Sequence, residues 1–355
     1  MLSDRWLHKA LSGKLPLEEL RAEAHGAKLA LFGPRVTYVH NRNANFTNVC
    51  VVDCKFCGFY RKSGEPEAYT HSIEEILRRV ASTPEITEVC LQGGINPELP
   101  PDYYFQLLRR LKAFNPSLHL HAFSPQEVHV LSARMGRSVA ETLAMLKDAG
   151  LDSMPGTAAE ILVDEVRKVI CPSKISTFRW RQIVKTAHRL GIPTSATIMF
   201  GHVESQAHRV AHLSLLRSIQ ETTGGFTEFI PLPFMPYRTR LGQDYSIETP
   251  PELEAYWRML AASRLYFDSL IPHVQVSWVK VGLEAAKRAL TGGVDDFSGT
   301  LHEERITSSA GGTHGQCLSR EEMREAIRSA GMVPAERDTL YNLLEPKPEL
   351  QATGA

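Results

Sequence analysis

Short β-branched or aromatic runs alternate with helical stretches along most of this chain, and no other feature restricts its fold as much. The runs are Val36 to His40, Thr87 to Gln92, Leu118 to Phe123, a brief Ser153 to Gly156, Thr194 to Phe200, Phe226 to Leu232, Val274 to Val281 and a weak Val294 to Phe297. Gly, Pro, Asn or Asp bounds each of them, as is usual at strand ends. Capping-box spacing opens helices at Ser72-Ile-Glu-Glu75, Ser138-Val-Ala-Glu141 and Thr249-Pro-Pro-Glu252. Ser319-Arg-Glu-Glu322 opens another that runs to about Ala330. Repeated strand, helix, strand means parallel pairing through right-handed crossovers, which a doubly wound sheet and a barrel both provide. Eight runs favour a TIM-type (βα)8 barrel, whose ~250 residues leave room in a chain of 355 for additions at both ends. The expected divisions are a helical N-terminal extension over 1–35, a barrel over 36–316 and a helical C-terminal extension over 317–355, frayed at 351–355.

The charge balance narrows the partners. Forty basic residues meet forty acidic ones, so neither nucleic acid nor an anionic membrane is the expected partner, since both select a basic excess. No apolar run approaches the ~18 residues of a membrane span. Met1 to Lys14 lacks a secretory apolar core, so a cytoplasmic protein is expected. Cysteine usage fits that compartment. Cys90, Cys171 and Cys317 are scattered singly and read as ordinary buried or semi-buried thiols that behave as small hydrophobes. Cys50, Cys54 and Cys57 instead crowd into one short segment, and a tight cluster in a cytosolic chain points to metal or catalysis rather than cross-linking.

That segment reads Cys50-Val-Val-Asp-Cys54-Lys-Phe-Cys57, just beyond the first strand. Three thiolates on one loop can hold a cuboidal 4Fe–4S cluster and leave one iron without a protein ligand. An open metal position is where a small molecule binds and is activated. The alternative is a zinc site of three cysteines and a histidine such as His40, which would make the chain a non-catalytic zinc-binding barrel. A second C-x2-C knuckle, usual in zinc sites, is missing from the sequence.

The cysteine motif on a barrel background resembles the radical S-adenosylmethionine enzymes. Asn41 to Asn48, Leu91-Gln-Gly-Gly-Ile-Asn-Pro97, His121-Ala-Phe-Ser-Pro-Gln-Glu127, Pro155 to Ile161, Met199 to Glu204, Gly224 to Phe234 and Ser277-Trp-Val-Lys280 look like one subfamily of them. That subfamily holds a deazaflavin-precursor transferase and two futalosine-pathway enzymes of menaquinone synthesis. Ile170 to Lys174, Pro231 to Phe234 and Gly299 to Glu304 look more like the former. The resemblance implies a 4Fe–4S cluster on Cys50, Cys54 and Cys57, with S-adenosylmethionine chelated at the open iron and cleaved reductively to a 5′-deoxyadenosyl radical. It implies fragmentation of L-tyrosine and addition of its 4-hydroxybenzyl radical to carbon 5 of 5-amino-6-(D-ribitylamino)uracil. A second radical enzyme, FO synthase subunit 1, would then close the deazaflavin ring. Phe59-Tyr60-Arg61 looks instead like the futalosine cyclase, so cyclic dehypoxanthine futalosine synthase and aminofutalosine synthase remain the alternative.

Site candidates follow from strand ends, because a barrel places its chemistry at the C-terminal rim of its strands. Gln92, Gly93 and Gly94 end a strand there, and glycines let a ligand approach the backbone. By resemblance they hold the amino group of S-adenosylmethionine. Glu160 can accept hydrogen bonds from the ribose hydroxyls, or support a helix dipole from a first turn. His121, His202 and Glu228 are the catalytic candidates, although Glu228 could sit in a structural pair and His121 could be a packing residue. Ser124, Glu127, Glu204 and Trp278 are expected to bind substrate, with Trp278 and Lys280 sharing one face of the seventh strand and Trp278 stacking on an aromatic ring. The bland reading of His202 and Glu204 is a rim ion pair, and Arg61, just after the cysteine motif, either meets an anionic carboxylate or is a solvated loop arginine.

Overall fold

The strands observed in the computed structural model, which describes residues 2–344, are β1 (Arg35–Val39), β2 (Asn41–Asn45), β3 (Glu88–Gln92), β4 (His119–Ala122), β5 (Thr194–Phe200), β6 (Phe226–Pro233), β7 (His273–Val274), β8 (Asp296–Gly299) and β9 (Val333–Arg337). Every pairing between them is parallel. Three sheets result, ordered β8-β1-β9, β2-β3-β4 and β5-β6-β7. Single bridges complete the circuit. His121 pairs with Ser153 and Met154 with Thr194, so the brief 153–156 run joins β4 to β5, and Gln275 pairs with Asp296 to join β7 to β8. β1 passes into β2 through His40, and the ring closes as the expected eight-stave barrel.

Helices cover the outside because their apolar faces match the buried staves. Leu107, Leu108 and Leu111 on Pro101–Phe114 and Ile183 and Val184 on Thr177–Arg189 are fully buried. Capping boxes start the helices after Ser72, Ser138 and Ser319, as the spacing predicts. Two N-terminal helices, Asp4–Leu11 and Leu17–Phe32, lie ahead of β1, and Arg258 ties them to the barrel by donating to the carbonyls of Ala10 and Leu15.

Four expectations are corrected. The Thr249 box does not form: helix Leu253–Phe267 starts later, at Glu252, without a side-chain cap. Pro251 keeps Pro250 out of the helical region, so the turn begins only after both prolines. The Val274 to Val281 run is strand only at its first residue and becomes a short helix at Trp278–Val281. A short apolar run reads alike in either state, and here Ser277 N–H bonds the Tyr256 hydroxyl instead of a neighbouring strand. β2 was not expected as a strand, since Asn-rich segments rarely form one. Lastly, the C-terminal extension is not only helical. After helix Arg320–Ser329, β9 pairs along the whole of β1, an edge position where Pro334 costs no central ladder bond. The expected fraying of 351–355 lies outside the described residues.

Candidate active site

The barrel encloses a cavity of ≈ 420 Å³, within the range of small-molecule sites. Cys50, Cys54 and Cys57 all face it and none is in a disulfide. Backbone bonds fix their loop on both sides. Cys50 N–H donates to Arg61 O (3.0 Å), Val51 N–H to Ile95 O (3.0 Å) and Lys55 N–H to Ile170 O (2.9 Å). Burial pushes the Cys54 and Cys57 thiols up, while the N–H groups of Tyr60 and Phe59 bond the Cys57 sulfur and pull it back. Buried thiols with N–H donors aimed at sulfur fit a cuboidal iron–sulfur cluster, which ties each thiolate to its own iron. They do not fit the zinc alternative. Among the described residues no three His, Cys, Asp or Glu side chains converge on a single ion. His40 lies off the cavity, bonded to Thr300 Oγ1 at 3.1 Å.

Gln92, Gly93 and Gly94 line the cavity beside this loop, as expected. The space a Cβ would take at either glycine, however, is already filled by the protein. A Cβ on Gly93 would lie 2.5 Å from the Phe46 ring, and one on Gly94 would overlap the Val49 carbonyl and stand 2.9 Å from Cys50 Cβ. Gly94 is therefore the seat on which the cysteine loop rests. Gly94→Ala should cost about 1–3 kcal/mol by overpacking and lower the iron bound per chain, because the obstacle is backbone. Full iron content in that variant would contradict this account.

Ser124 and Glu127 also face the cavity, but they spend their oxygens on the chain. They form a capping box on helix Pro125–Met135, and Glu127 Oε1 accepts Gly93 N–H at 3.3 Å. Burial pushes Glu127 up to about 7. The pair thus carries the glycine turn on a buried carboxylate. Glu160 sits at φ +40°, four residues before helix Asp164–Ile170, so it does not support that helix's first turn. Its carboxylate faces the cavity and pairs with Lys174 (2.5 Å) and Arg167 (3.5 Å). Arg167 also donates to the carbonyls of Ala158, Ala159 and Ile175, which holds the strained turn in place.

His121 lies on the cavity wall with Nδ1 2.6 Å from Ser153 Oγ, an atom that His119 Nε2 also reaches at 2.7 Å. Burial lowers His121 to about 4, against the pull of Glu88, so it is a neutral hydrogen-bonding ring at pH 7. Glu228 faces the deep end and belongs to a buried network that sequence reasoning missed. It accepts from Gln275 Nε2 (3.3 Å) and the Tyr341 hydroxyl and lies 3.5 Å from Arg337 Nη2. Arg337 Nε donates to Asp296 at 2.5 Å, and burial pushes Glu228 up to about 7. Arg337 ends, and Tyr341 follows, a short Val-Pro-Ala-Glu-Arg run that carries no strand periodicity, so nothing local announces them.

Three candidates leave the site. His202 and Glu204 do not line the cavity, and their side chains are fully buried. Glu204 folds back to accept Gly201 and His202 N–H (2.7 and 2.9 Å) and pairs with Arg209, because the turn after β5 frees backbone donors that need acceptors. Trp278 is also off the cavity. It sits on a helix, fully buried, and donates Nε1–H to Gly299 O at 3.0 Å. Its neighbour Lys280 does face the cavity. Arg61 clasps Glu67 and the carbonyls of Gly58 and Tyr60, a loop tie off the cavity.

Residues 44–216 match the Radical SAM superfamily, and residues 223–350 match the CofH/MqnC C-terminal region. The chain is 45% identical over 338 residues to the 5-amino-6-(D-ribitylamino)uracil–L-tyrosine 4-hydroxyphenyl transferase of Methanopyrus kandleri, covering 94% of this chain and 90% of that one. It is 43% identical to the FO synthase of Mycobacterium leprae over 96% of its own length but 40% of that protein. Among solved structures, methylornithine synthase superposes with a TM-score of 0.74 at 17% identity over 94% of each chain, a likeness of fold.

Proposed function

Because this chain belongs to the radical S-adenosylmethionine superfamily, and within it to the family of 5-amino-6-(D-ribitylamino)uracil–L-tyrosine 4-hydroxyphenyl transferases, we propose that it carries out that transfer. The reaction moves the 4-hydroxybenzyl unit of L-tyrosine to carbon 5 of the uracil. The observation that carries the reading is the three unpaired thiols opening onto one closed-sided cavity. When bound, the 4Fe–4S cluster and S-adenosylmethionine supply the 5′-deoxyadenosyl radical that takes a hydrogen atom from tyrosine.

The chain's own part is to bind, orient and exclude water. Cys50, Cys54 and Cys57 would hold the cluster. Gln92 and the Gly93-Gly94 backbone, steadied by Glu127, would meet the methionine end of S-adenosylmethionine, and Glu160 its ribose. Lys174 and Arg167 hold the Glu160 carboxylate in place, so its remaining acceptor capacity can meet a hydroxyl pair. Neutral His121, positioned by Ser153, can hydrogen-bond substrate without adding charge. Glu228 at the deep end suits the amino groups of the uracil. Fixed hydrogen bonds of this kind matter because reacting atoms must be held within about 3–3.5 Å of one another.

Two wider statements belong to the same reading. A second radical enzyme would take the adduct on to the deazaflavin ring, which the 40% coverage of the longer FO synthase supports. Six unpaired cysteines support a reducing compartment, the cytoplasm.

The test is anaerobic turnover with reductant, S-adenosylmethionine, tyrosine and the ribityl-diaminouracil. 5′-Deoxyadenosine and a hydroxybenzyl–uracil adduct should appear together, and omission of the uracil should leave tyrosine cleavage slow or uncoupled. An enzyme that ignores tyrosine and converts dehypoxanthine futalosine would overturn the assignment.

A further inference from the structure

Among the described residues, three lysine or arginine side chains face the cavity: Lys174, Lys280 and Arg337. Lys174 is paired with Glu160, and Arg337 with Asp296 and Glu228. Lys280 differs from both. It projects from the short helix Trp278–Val281 just beyond β7, on the catalytic rim, and among the described residues its Nζ makes no hydrogen bond or ion pair. The chain is half-buried there, and the surface Lys280 keeps faces the cavity. Glu304 opposes its charge through space, yet that carboxylate is spent on the N–H groups of Ile306 and Thr307 at 3.0 Å each. An ammonium withdrawn from water and left with three unused donors is costly, and a site retains one where a ligand completes it.

We propose that Lys280 binds the α-carboxylate of the amino-acid substrate. The inference rests on the transferase reading above and adds the group that would recognise tyrosine's head. Ribityl-diaminouracil carries no anion for Lys280 to meet, so among the two substrates only the amino acid supplies one. Five carboxylates also face the cavity, namely Glu88, Glu127, Glu160, Glu228 and Glu304. A free cation amid that excess is the one place where a carboxylate ligand is attracted rather than repelled. The methionine end of S-adenosylmethionine carries the other available carboxylate, and the test separates the two sources.

The experiment compares wild type, Lys280→Gln and Lys280→Arg as reconstituted holoenzymes, with tyramine, which lacks the carboxylate, as a competitive probe. A charge-assisted hydrogen bond of 1.5–3 kcal/mol corresponds to roughly 10- to 100-fold. The KM for tyrosine should therefore rise by about that factor in Lys280→Gln, with the KM values for S-adenosylmethionine and the uracil unchanged. The tyramine inhibition constant should be the same in Lys280→Gln and wild type, since the probe never met the lysine. Lys280→Arg should retain most of the tyrosine affinity and carries the comparison if glutamine unsettles the fold. A rise that falls on S-adenosylmethionine, a parallel weakening of tyramine, or an unchanged tyrosine KM would each overturn the proposal while leaving the reaction assigned. A wild-type enzyme that leaves tyrosine untouched would instead overturn the assigned reaction, and this inference with it.

Discussion

Alanine at Cys50, Cys54 or Cys57 should yield a chain that folds but binds little iron and forms no 5′-deoxyadenosine. On the proposed assignment each of these thiolates is one of three protein ligands, and the loop that bears them is fixed by backbone bonds to Arg61, Ile95 and Ile170, so no neighbour can swing in. The remaining cysteines are poor substitutes. Cys171 is buried off the cavity with its thiol pushed up to about 11, and Cys317 is exposed beside His302. Cys90 faces the cavity from within β3, where Gln92 Nε2 bonds its sulfur at 3.5 Å. Alanine at any of these last three should leave about four iron and four sulfide per chain. Metal and sulfide analysis with the visible spectrum checks both halves. Wild-type turnover by Cys54→Ala would sink the cluster assignment.

That prediction can be made from sequence because the cysteine motif is local: three candidate ligands on one loop need no knowledge of the fold. The barrel is legible for a similar reason. Thr194–Phe200 and Phe226–Pro233 are dense in β-branched or aromatic residues and form their strands from local preference. β2, Asn-Arg-Asn-Ala-Asn, has no such preference and is a strand because β1 delivers it beside β3, where all five residues pair. The glycine turn and the acidic candidates show the limit within the site. Gly93-Gly94 reads from sequence as a place for a ligand to approach the backbone, and sequence does not show that Phe46 and the cysteine loop also leave no room there for a Cβ. Likewise a His-Val-Glu after a strand can face the cavity or fold back to cap the turn. Backbone donors freed at Gly201 decide for the second. Contacts across great sequence distance left no local trace, and the largest of these is Arg337.

Arg337→Met should destabilise the protein by about 3–5 kcal/mol, the usual cost of removing one partner of a buried ion pair. Among the described residues Arg337 is the only cation bonded to Asp296 and the nearest to Glu228, and Met leaves both carboxylates in the deep end with Thr37, Gln275, Tyr341 and the Ser298 N–H as their remaining partners. The loss has a pH signature. Burial already holds the folded Glu228 pKa near 7, above its ordinary value of 4.5, and Arg337 is the main opposing influence. Without the arginine that pKa rises further. A carboxyl raised in the folded state favours folding below its unfolded pKa and loses that contribution as pH climbs through the folded value. The variant keeps its proton to higher pH than wild type does, so the deficit between them should shrink as pH falls from about 8 to about 6. Arg337→Lys should recover part of the stability, since it restores charge without the fork that reaches both carboxylates. Denaturant unfolding at the two pH values measures this. Equal stability at the higher pH would mean the deep carboxylates do not depend on Arg337, and a deficit that widened on acidification would reverse the assigned protonation of Glu228.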